Sequence, residues 1–293
     1  TGGRRAARIL TEAADDLATV QRRASSLDLR TALAVHSNRL ALLDLGLGVE
    51  SGSVAALYTR VERWRAVSDR VPLVRPPRDE RVAGLLTRLR RVREDLRGAP
   101  DAAQPGLRTE AAALERRIRA LDWTTTDTGA HDWRPDQPLP YPAALAAVRA
   151  TGATLVSFVP HGTHLYAVHV TPRGGRVVRV AELEWLTALV RRVRADVEAA
   201  ALAGIGPVRT AVEASLVAGL TRIDDVLFGP GGALRATGRL VVVPSRAVGG
   251  LPWGMLPSRR GLPTILARTA SGWVRSTQLP AIGSPRVLAI AGP

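Results

Sequence analysis

The stretch RLVVVPSRAVGGLPWGMLPSRRGLP, residues 239–263, decides how the second half of the chain folds. It opens with Leu240–Val243, an apolar run that Pro244 ends. Apolar side chains at every position are typical of a strand that helices cover on both faces. The loop that follows is rich in Gly and Pro and carries Trp253 and Met255. We predict that both side chains pack in the apolar space beneath the loop, a role that suits a large side chain such as an indole.

Around this strand, residues 143–293 alternate between strand and helix patterns. Continuous or alternating apolar runs predict strands, and apolar residues three and four apart predict helices. The predicted strands are TLVSFVP (154–160), HLYAVHV (164–170), GRVVRVAEL (175–183), RLVVVP (239–244) and RVLAIA (286–291), with ARTASGW (267–273) also extended, and the predicted helices cover residues 182–203 and 208–227. This alternation predicts an α/β fold for the second half.

Residues 1–123 show only the helical period. The second of these helices is predicted to end at LGLGVESGS (45–53), because its three glycines mark a turn. Two later helices, residues 77–98 and 107–123, predict an antiparallel hairpin. No 34-residue repeat is visible, so a TPR-like array and a plain helical bundle both stay open. Residues 124–142 hold four prolines and predict a linker to the α/β part.

Composition narrows the possible classes of protein. All 41 basic residues are Arg, and they give the 293-residue chain a formal net charge of +15. These arginines are dispersed along helical segments, and aromatic residues make up only 4%, which disfavours nucleic-acid binding. Since Lys is absent, a Walker A phosphate loop is excluded. The Lys-free, Arg-rich composition indicates a bacterial-type protein.

The sequence contains neither cysteine nor a long apolar segment, and these absences exclude several kinds of site and of protein. It has no Cys, which excludes disulfides, thiolate zinc sites and cysteine nucleophiles within these residues. No apolar run approaches the roughly 18 residues of a membrane span, so no membrane association is expected. The opening TGGRRAARIL has no apolar signal segment, which predicts a cytoplasmic protein or a fragment of one.

Several pieces of the second half occur in an order that resembles the CHAT family of caspase-like domains, which commonly follow TPR-type helical repeats. The matching pieces are Leu240–Pro244, Leu251–Trp253, Met255–Pro257, Gly261–Pro263 and Val287–Pro293. The resemblance implies an N-terminal helical region over residues 1–123, a linker over 124–142, and the first, incomplete part of a caspase-like α/β domain over 143–293.

The resemblance also implies a function. CHAT proteins resemble caspases in using a Cys nucleophile and a His base, so the intact protein is expected to be a cysteine endopeptidase that a protein partner activates. Both catalytic residues are expected beyond Pro293, so none is expected within this chain, and no cofactor is expected. The alternative is a non-catalytic scaffold whose helices bind protein partners. A His-Gly and a Cys encoded after Pro293 would separate the two.

Arg246 is the substrate-binding candidate that the resemblance supplies. In caspases, an Arg in the loop after the first core strand helps to line the pocket for an acidic P1 side chain. Arg246 holds a comparable place after RLVVVP, and a guanidinium suits bidentate binding of a carboxylate. The assignment is an analogy at the level of the fold, and a solvated surface arginine is the alternative interpretation.

The histidines of the predicted hairpin do not form a convincing site. The pair His161-Gly162 imitates the family's catalytic His-Gly but lies upstream of the core strand. His164 and His169 are five residues apart on one strand and therefore face opposite sides, so no metal site is expected. Turn and strand-surface positions are the ordinary interpretation of all three histidines.

Two further candidates outside the hairpin are set aside. Ser245 follows a strand but lacks the G-x-S-x-G context of a nucleophile elbow. Asp224 and Asp225 are interpreted as solvated or capping residues at a helix end.

Overall fold

The computed structural model of the chain describes residues 2–23, 27–68, 80–124, 138–202, 204 and 206–278. The chain divides into two compact units, the first formed by residues 1–44 and 64–135 and the second by residues 45–63 and 136–293. Both units contribute helices, and the second also contains a mixed β-sheet. The fold is therefore of the α+β class. None of the helices within the described residues is both long enough and apolar enough to cross a membrane.

Most of the helices lie where the apolar period of the sequence predicts them. They are α1 (Gly2–Arg23), α2 (Leu27–Glu50), α3 (Val54–Ser68), α4 (Glu80–Gly98), α5 (Gln104–Thr124), α6 (Tyr141–Thr151), α7 (Leu183–Leu202), α8 (Pro207–Phe228) and α9 (Ala270–Thr277). The predicted helices over 182–203 and 208–227 are confirmed as α7 and α8.

The predicted helical hairpin is confirmed in the first unit. Helices α4 and α5 pack along their length across a connection of only five residues, 99–103, which forces them to run antiparallel. Their apolar seam contains Leu89, Val92, Ala111 and Leu114. Two ion pairs flank the seam but are exposed, so they contribute little to stability. Packing of the apolar seam therefore holds the hairpin together.

The second unit is built on a five-stranded sheet. Its strands are β1 (Thr154–His161), β2 (His164–Thr171), β3 (Gly174–Glu182), β4 (Leu240–Val243) and β5 (Thr264–Leu266), in the spatial order β3-β2-β1-β4-β5. The first three form an antiparallel meander, while β4 lies parallel to β1, and β5 lies parallel to β4. Among the described residues the sheet is open and mixed, neither a barrel nor an antiparallel sandwich.

Strand β4 is covered on both faces, as its continuous apolar sequence predicts. Leu240 and Val242 enter a core with α7, α8 and the loop after β4. Val241 and Val243 enter a second core with α3, α6 and α9. All four side chains are fully buried. The alternation of side chains along one strand thus ties the two helical layers to the same sheet.

The turn predicted at residues 45–53 is wrong over most of its length. Helix α2 continues to Glu50, and only Gly52, with a φ of 64°, adopts the left-handed conformation of a turn. Gly46 and Gly48 lie inside the helix. Other side chains approach them so closely that a residue with a Cβ would not fit without a shift. A Cβ at Gly46 would lie 2.9 Å from the imidazole of His161, and one at Gly48 would lie 2.9 Å from Leu57. These two glycines provide close packing and do not break the helix.

Helix α6 was not predicted, and it begins inside the segment expected to be a linker. Pro142 lies in its first turn, where a missing backbone N–H costs nothing, and Gly152 ends it with a φ of 64°. Residues 125–137 of that predicted linker lie outside the described residues.

The extended structure predicted for residues 267–273 is wrong for residues 270–273, while the backbone of Thr269 is extended. The chain forms β5 just before it, and α9 starts at Ala270. Thr269 caps this helix by accepting a hydrogen bond from the Gly272 N–H at 2.9 Å. The strand predicted at residues 286–291 lies outside the described residues.

Candidate functional site

The loop at residues 244–263 leaves the sheet at the edge where the parallel strands β1 and β4 both end. In α/β sheets, ligand sites commonly form at this edge. Trp253 lies under the loop, only 3% exposed, with its ring centroid 5.7 Å from that of Phe158 on β1. Leu251 and Leu256 are buried in the same core. The predicted packing role of Trp253 is therefore confirmed.

Two other residues of this loop, Met255 and Arg246, are exposed. Met255 is 39% exposed, so the prediction that it packs beneath the loop is wrong. Arg246 lies in the turn directly after β4 and is exposed. In the described part of the chain, the Arg246 guanidinium makes neither a hydrogen bond nor an ion pair, and it remains the candidate for binding an anionic group.

A buried arginine anchors the end of this loop. Arg259 is 1% exposed, and its guanidinium donates to the carbonyl oxygens of Gly238 at 2.7 Å, Ala236 at 3.1 Å and Pro263 at 3.2 Å. Burial lowers the pKa of Arg259, and the nearby Asp224 carboxylate offsets part of that shift. The hydrogen bonds fix the return of the chain into β5.

Asp224 provides the second anchor, and the interpretation of this residue as solvated is wrong. It is buried near the end of α8, and its carboxylate accepts hydrogen bonds from the Ser258 N–H at 2.9 Å and the Ser258 hydroxyl at 2.5 Å. Asp225 beside it is exposed. The sequence could not single out Arg259, because nothing distinguishes it from the other arginines before its partners are known.

The three histidines of the hairpin have separate surroundings. His161 packs against Gly46 of α2, with its Nε2 3.9 Å from Glu50 Oε1. His164 Nδ1 lies 3.0 Å from the Thr163 hydroxyl. His169 lies on the opposite face of β2, as its spacing from His164 predicts. It is buried there, so the interpretation of His169 as a strand-surface residue is wrong. In the described residues, no three His, Asp or Glu side chains come together as a metal site would require.

A second buried polar cluster lies on the other face of the sheet. The Glu62 carboxylate of α3 is 1% exposed and accepts hydrogen bonds from the Ala270 N–H at 3.1 Å, the Ser271 N–H at 2.7 Å and the Ser271 hydroxyl at 2.6 Å. Burial raises the pKa of the nearby Tyr58 phenol well above its usual range, and the Glu62 charge raises it further. The cluster attaches α3 to the first turn of α9.

The arrangement contains an anion-binding candidate but no assembled nucleophile. The Ser245 hydroxyl is buried and makes no hydrogen bond within the described part of the chain, so no base activates it there. The buried charges Glu62, Asp224 and Arg259 are each engaged in hydrogen bonds that hold loops or helix ends in place. Arg246 is left as the exposed functional candidate at the carboxyl edge of the sheet.

Comparison with the models of known protein families gave no match, and no curated protein matches the chain either.

Proposed function

We propose that this chain comprises the regulatory helical region and the leading half of a CHAT-type, caspase-like cysteine endopeptidase from a bacterial cytoplasm. The observation that carries the proposal is the surroundings of β4. This strand is buried on both faces, lies parallel to β1 and β5, and leads into a loop with a buried Trp253 and an exposed Arg246. Such a strand end is a usual place for substrate binding in α/β proteins. We also propose that the helices of residues 1–123 are TPR-like.

In this proposal, residues outside 1–293 supply the Cys nucleophile and the His base. The His takes the thiol proton, the thiolate attacks the peptide carbonyl, and the C–N bond breaks as the His gives that proton to the leaving amine. Water, deprotonated by the same His, then hydrolyses the thioester, which releases the carboxylate product and restores the thiol. Arg246 binds the carboxylate of an acidic P1 side chain and so orients the scissile bond. Its exposed guanidinium, which has no partner among the described residues, leaves its donors available for bidentate binding.

The alternative is a non-catalytic scaffold that binds protein partners. The observation that favours it is that the buried Glu62, Asp224 and Arg259 side chains are engaged in hydrogen bonds that hold the structure together. No nucleophile and base are assembled among the described residues. In this alternative the sheet supports the helices, and Arg246 is a solvated surface residue.

The test uses the intact protein expressed from its natural gene. Peptide libraries that vary only at P1 are incubated with the protein in the presence of a cell extract that supplies the activator. Cleavage after Asp or Glu, abolished by a Cys→Ala substitution at a Cys that follows Pro293, supports the endopeptidase. A coding sequence with no Cys after Pro293, or no cleavage of any library, overturns it and leaves the scaffold.

The role of Arg246 is tested in the same assay. We expect Arg246→Ala to lower kcat/KM for acidic P1 residues roughly 100-fold, which corresponds to about 2.7 kcal/mol. Arg260→Ala is the matched control, because Arg260 is also exposed and lies in the same loop. Equal losses in the two variants, or a loss that is the same for acidic and neutral P1 residues, would remove Arg246 from the substrate site.

A further inference from the structure

The outer edge of β3 is the longer of the two sheet edges in the described part of the chain. Strand β3 has nine residues and pairs through eight registered positions with β2 on one side. On its other side, no described strand pairs with it. The opposite edge, β5, offers only three residues. An edge strand presents a row of backbone N–H and C=O groups that an extended chain can pair with, and a longer edge offers more of them.

This edge is basic. Arg173 lies in the turn before β3, and Arg176 and Arg179 lie along it, with Glu182 as the acidic residue at its end. The Arg176 guanidinium is engaged with His169 and with the Ala233 carbonyl. Arg173 and Arg179 are exposed, and neither makes a hydrogen bond or ion pair in the described part of the chain. Two cationic side chains are therefore available beside the edge.

The charge decides which kind of strand can pair here. Two copies of β3 pairing with each other would bring their arginines close together, and like charges on paired strands are destabilising. Charged residues protect edge strands against self-association in this way. The same side chains attract an acidic strand. The edge thus disfavours a second copy of this chain and favours an acidic partner.

The faces of the sheet beside this edge differ in how closely they are covered. A Cβ at Gly175 would lie 2.5 Å from the hydroxyl of Tyr141 and 3.1 Å from Val54, so one face of the sheet is closely covered at the start of β3. The side chains of Val177 and Val178 are half-buried and leave apolar surface beside the edge. The template for pairing is therefore β3 itself, Gly174–Glu182, with Arg173 in the turn directly before it.

We propose that the outer edge of β3 binds an extended, acidic segment of a partner protein as a sixth strand. Backbone hydrogen bonds supply the pairing, and Arg173 and Arg179 supply the selection for acidic side chains. This inference goes beyond the proposed function, and it holds for a peptidase and for a scaffold alike.

The test measures peptide binding to the whole chain by fluorescence anisotropy. The probes are a labelled nine-residue peptide of alternating Glu and Val, its Lys-Val counterpart, and a Glu-Val peptide with N-methylated backbone amides. We expect saturable binding of the Glu-Val peptide alone, weakened at high salt. N-methylation removes the donors that strand pairing needs while it keeps the charges, so we expect it to abolish binding.

Two sets of variants complete the test. The double variant Arg173→Glu/Arg179→Glu should weaken binding of the Glu-Val peptide at least about tenfold and gain binding of the Lys-Val peptide. Arg222→Glu on α8, also exposed, is the matched control and should change affinity less than about twofold. If the double variant fails to fold, Arg173→Gln/Arg179→Gln replaces it.

Three outcomes would overturn the proposal. The first is equal binding of the N-methylated peptide, which would mean ionic attraction without strand addition. The second is unchanged affinity in the double variant, or no saturable binding at all. The third is protection from hydrogen exchange that falls on elements other than β3 when the Glu-Val peptide is bound.

Discussion

At the scale of single residues, His169 shows how a buried side chain can hold a distant loop. Its Nε2 lies 3.0 Å from the Arg235 carbonyl oxygen, and Arg176 Nε donates to its Nδ1 at 3.3 Å. Because a guanidinium can only donate, Nδ1 must accept, and Nε2 must carry the proton. Burial lowers the pKa of His169, the carbonyl hydrogen bond offsets part of that shift, and the charge of Arg176 lowers the pKa further. The ring therefore works as a neutral link between β2 and the connection to β4.

This geometry predicts a pH-dependent stability. The unfolded chain has an ordinary histidine pKa of about 6.5, and the folded pKa lies below it. The contribution of neutral His169 is fully present above about pH 6.5. As the pH falls below that value, the unfolded chain binds the proton first, so the free energy of unfolding falls by at most about 1.4 kcal/mol per pH unit. Urea unfolding at pH 8 and pH 5 measures the effect.

The substitution that isolates this contribution is His169→Gln, whose amide can still donate to the Arg235 carbonyl. We expect it to lose less stability than the wild type between pH 8 and pH 5. His164→Gln is the control, because that imidazole is half-exposed and its hydrogen bond goes to the neighbouring Thr163 hydroxyl, and this variant should keep the wild-type pH dependence. A pH dependence unchanged by His169→Gln would mean that other groups cause the loss.

At the scale of elements, α9 depends on a residue that is 208 positions earlier in the sequence. Glu62 accepts two of the first backbone N–H groups of α9, and Thr269 accepts a third. These groups have no partner within a helix, and a carboxylate beside them also interacts favourably with the helix dipole. An eight-residue helix would be marginal without such contacts. The buried Glu62 therefore stabilises α9 together with the packing of Trp273 and Val274.

We expect Glu62→Gln to lower the free energy of unfolding by about 2 kcal/mol, because the amide replaces one acceptor oxygen with a donor that faces other donors. Hydrogen exchange at Ala270 and Ser271 should become faster than in the wild type. Glu184→Gln is the control, since Glu184 is exposed in the first turn of α7, and it should change stability by less than about 0.5 kcal/mol. Unchanged protection of the α9 amides in Glu62→Gln would contradict the capping role.

The same elements show how far the sequence can predict the fold. The long helices α7 and α8 follow from the apolar period, because each buries one face against the sheet. The hairpin strands β1 to β3 follow from their apolar runs, because their side chains enter the cores on the two faces of the sheet. Helix α9 was missed because it is short, contains Gly272 and depends on Glu62. Helix α6 was missed because its first-turn proline, Pro142, was interpreted as a linker residue. The local pattern of apolar residues carries no information about contacts with residues that are distant in the sequence.

At the scale of the whole molecule, contacts between residues distant in sequence also determine which residues form each compact unit and which residues anchor the loop after β4. Residues 45–63 belong to the same compact unit as the sheet, although their helical period resembles that of the helices before and after them. The loop after β4 and the buried Trp253 were predictable. An apolar strand followed by Gly and Pro indicates a loop, and a Trp in such a loop is expected to pack against the core beneath it. Arg259 and Asp224 were not, because among 41 basic and 26 acidic residues only the tertiary contacts single out the buried ones.

The last prediction concerns association between whole chains through β5. Among the described residues, β5 is an edge strand of the sheet. Its Ile265 is 38% exposed, and its Leu266 is 55% exposed. Apolar side chains on an edge strand promote association, because the edge also offers unpaired backbone groups. We expect Leu266→Lys to lower the weight-average mass of the 293-residue chain in concentrated solution, measured by light scattering. A lysine at the edge adds charge where two strands would have to approach.

The control for this prediction is Leu202→Lys at the end of α7, where the leucine is 88% exposed. If exposed apolar area alone caused association, this variant would have the larger effect, since it removes the more exposed side chain. We expect little change from it, because a helix end offers no row of unpaired groups comparable to a strand edge. A fall in mass with Leu202→Lys and none with Leu266→Lys would show that β5 does not mediate association between chains.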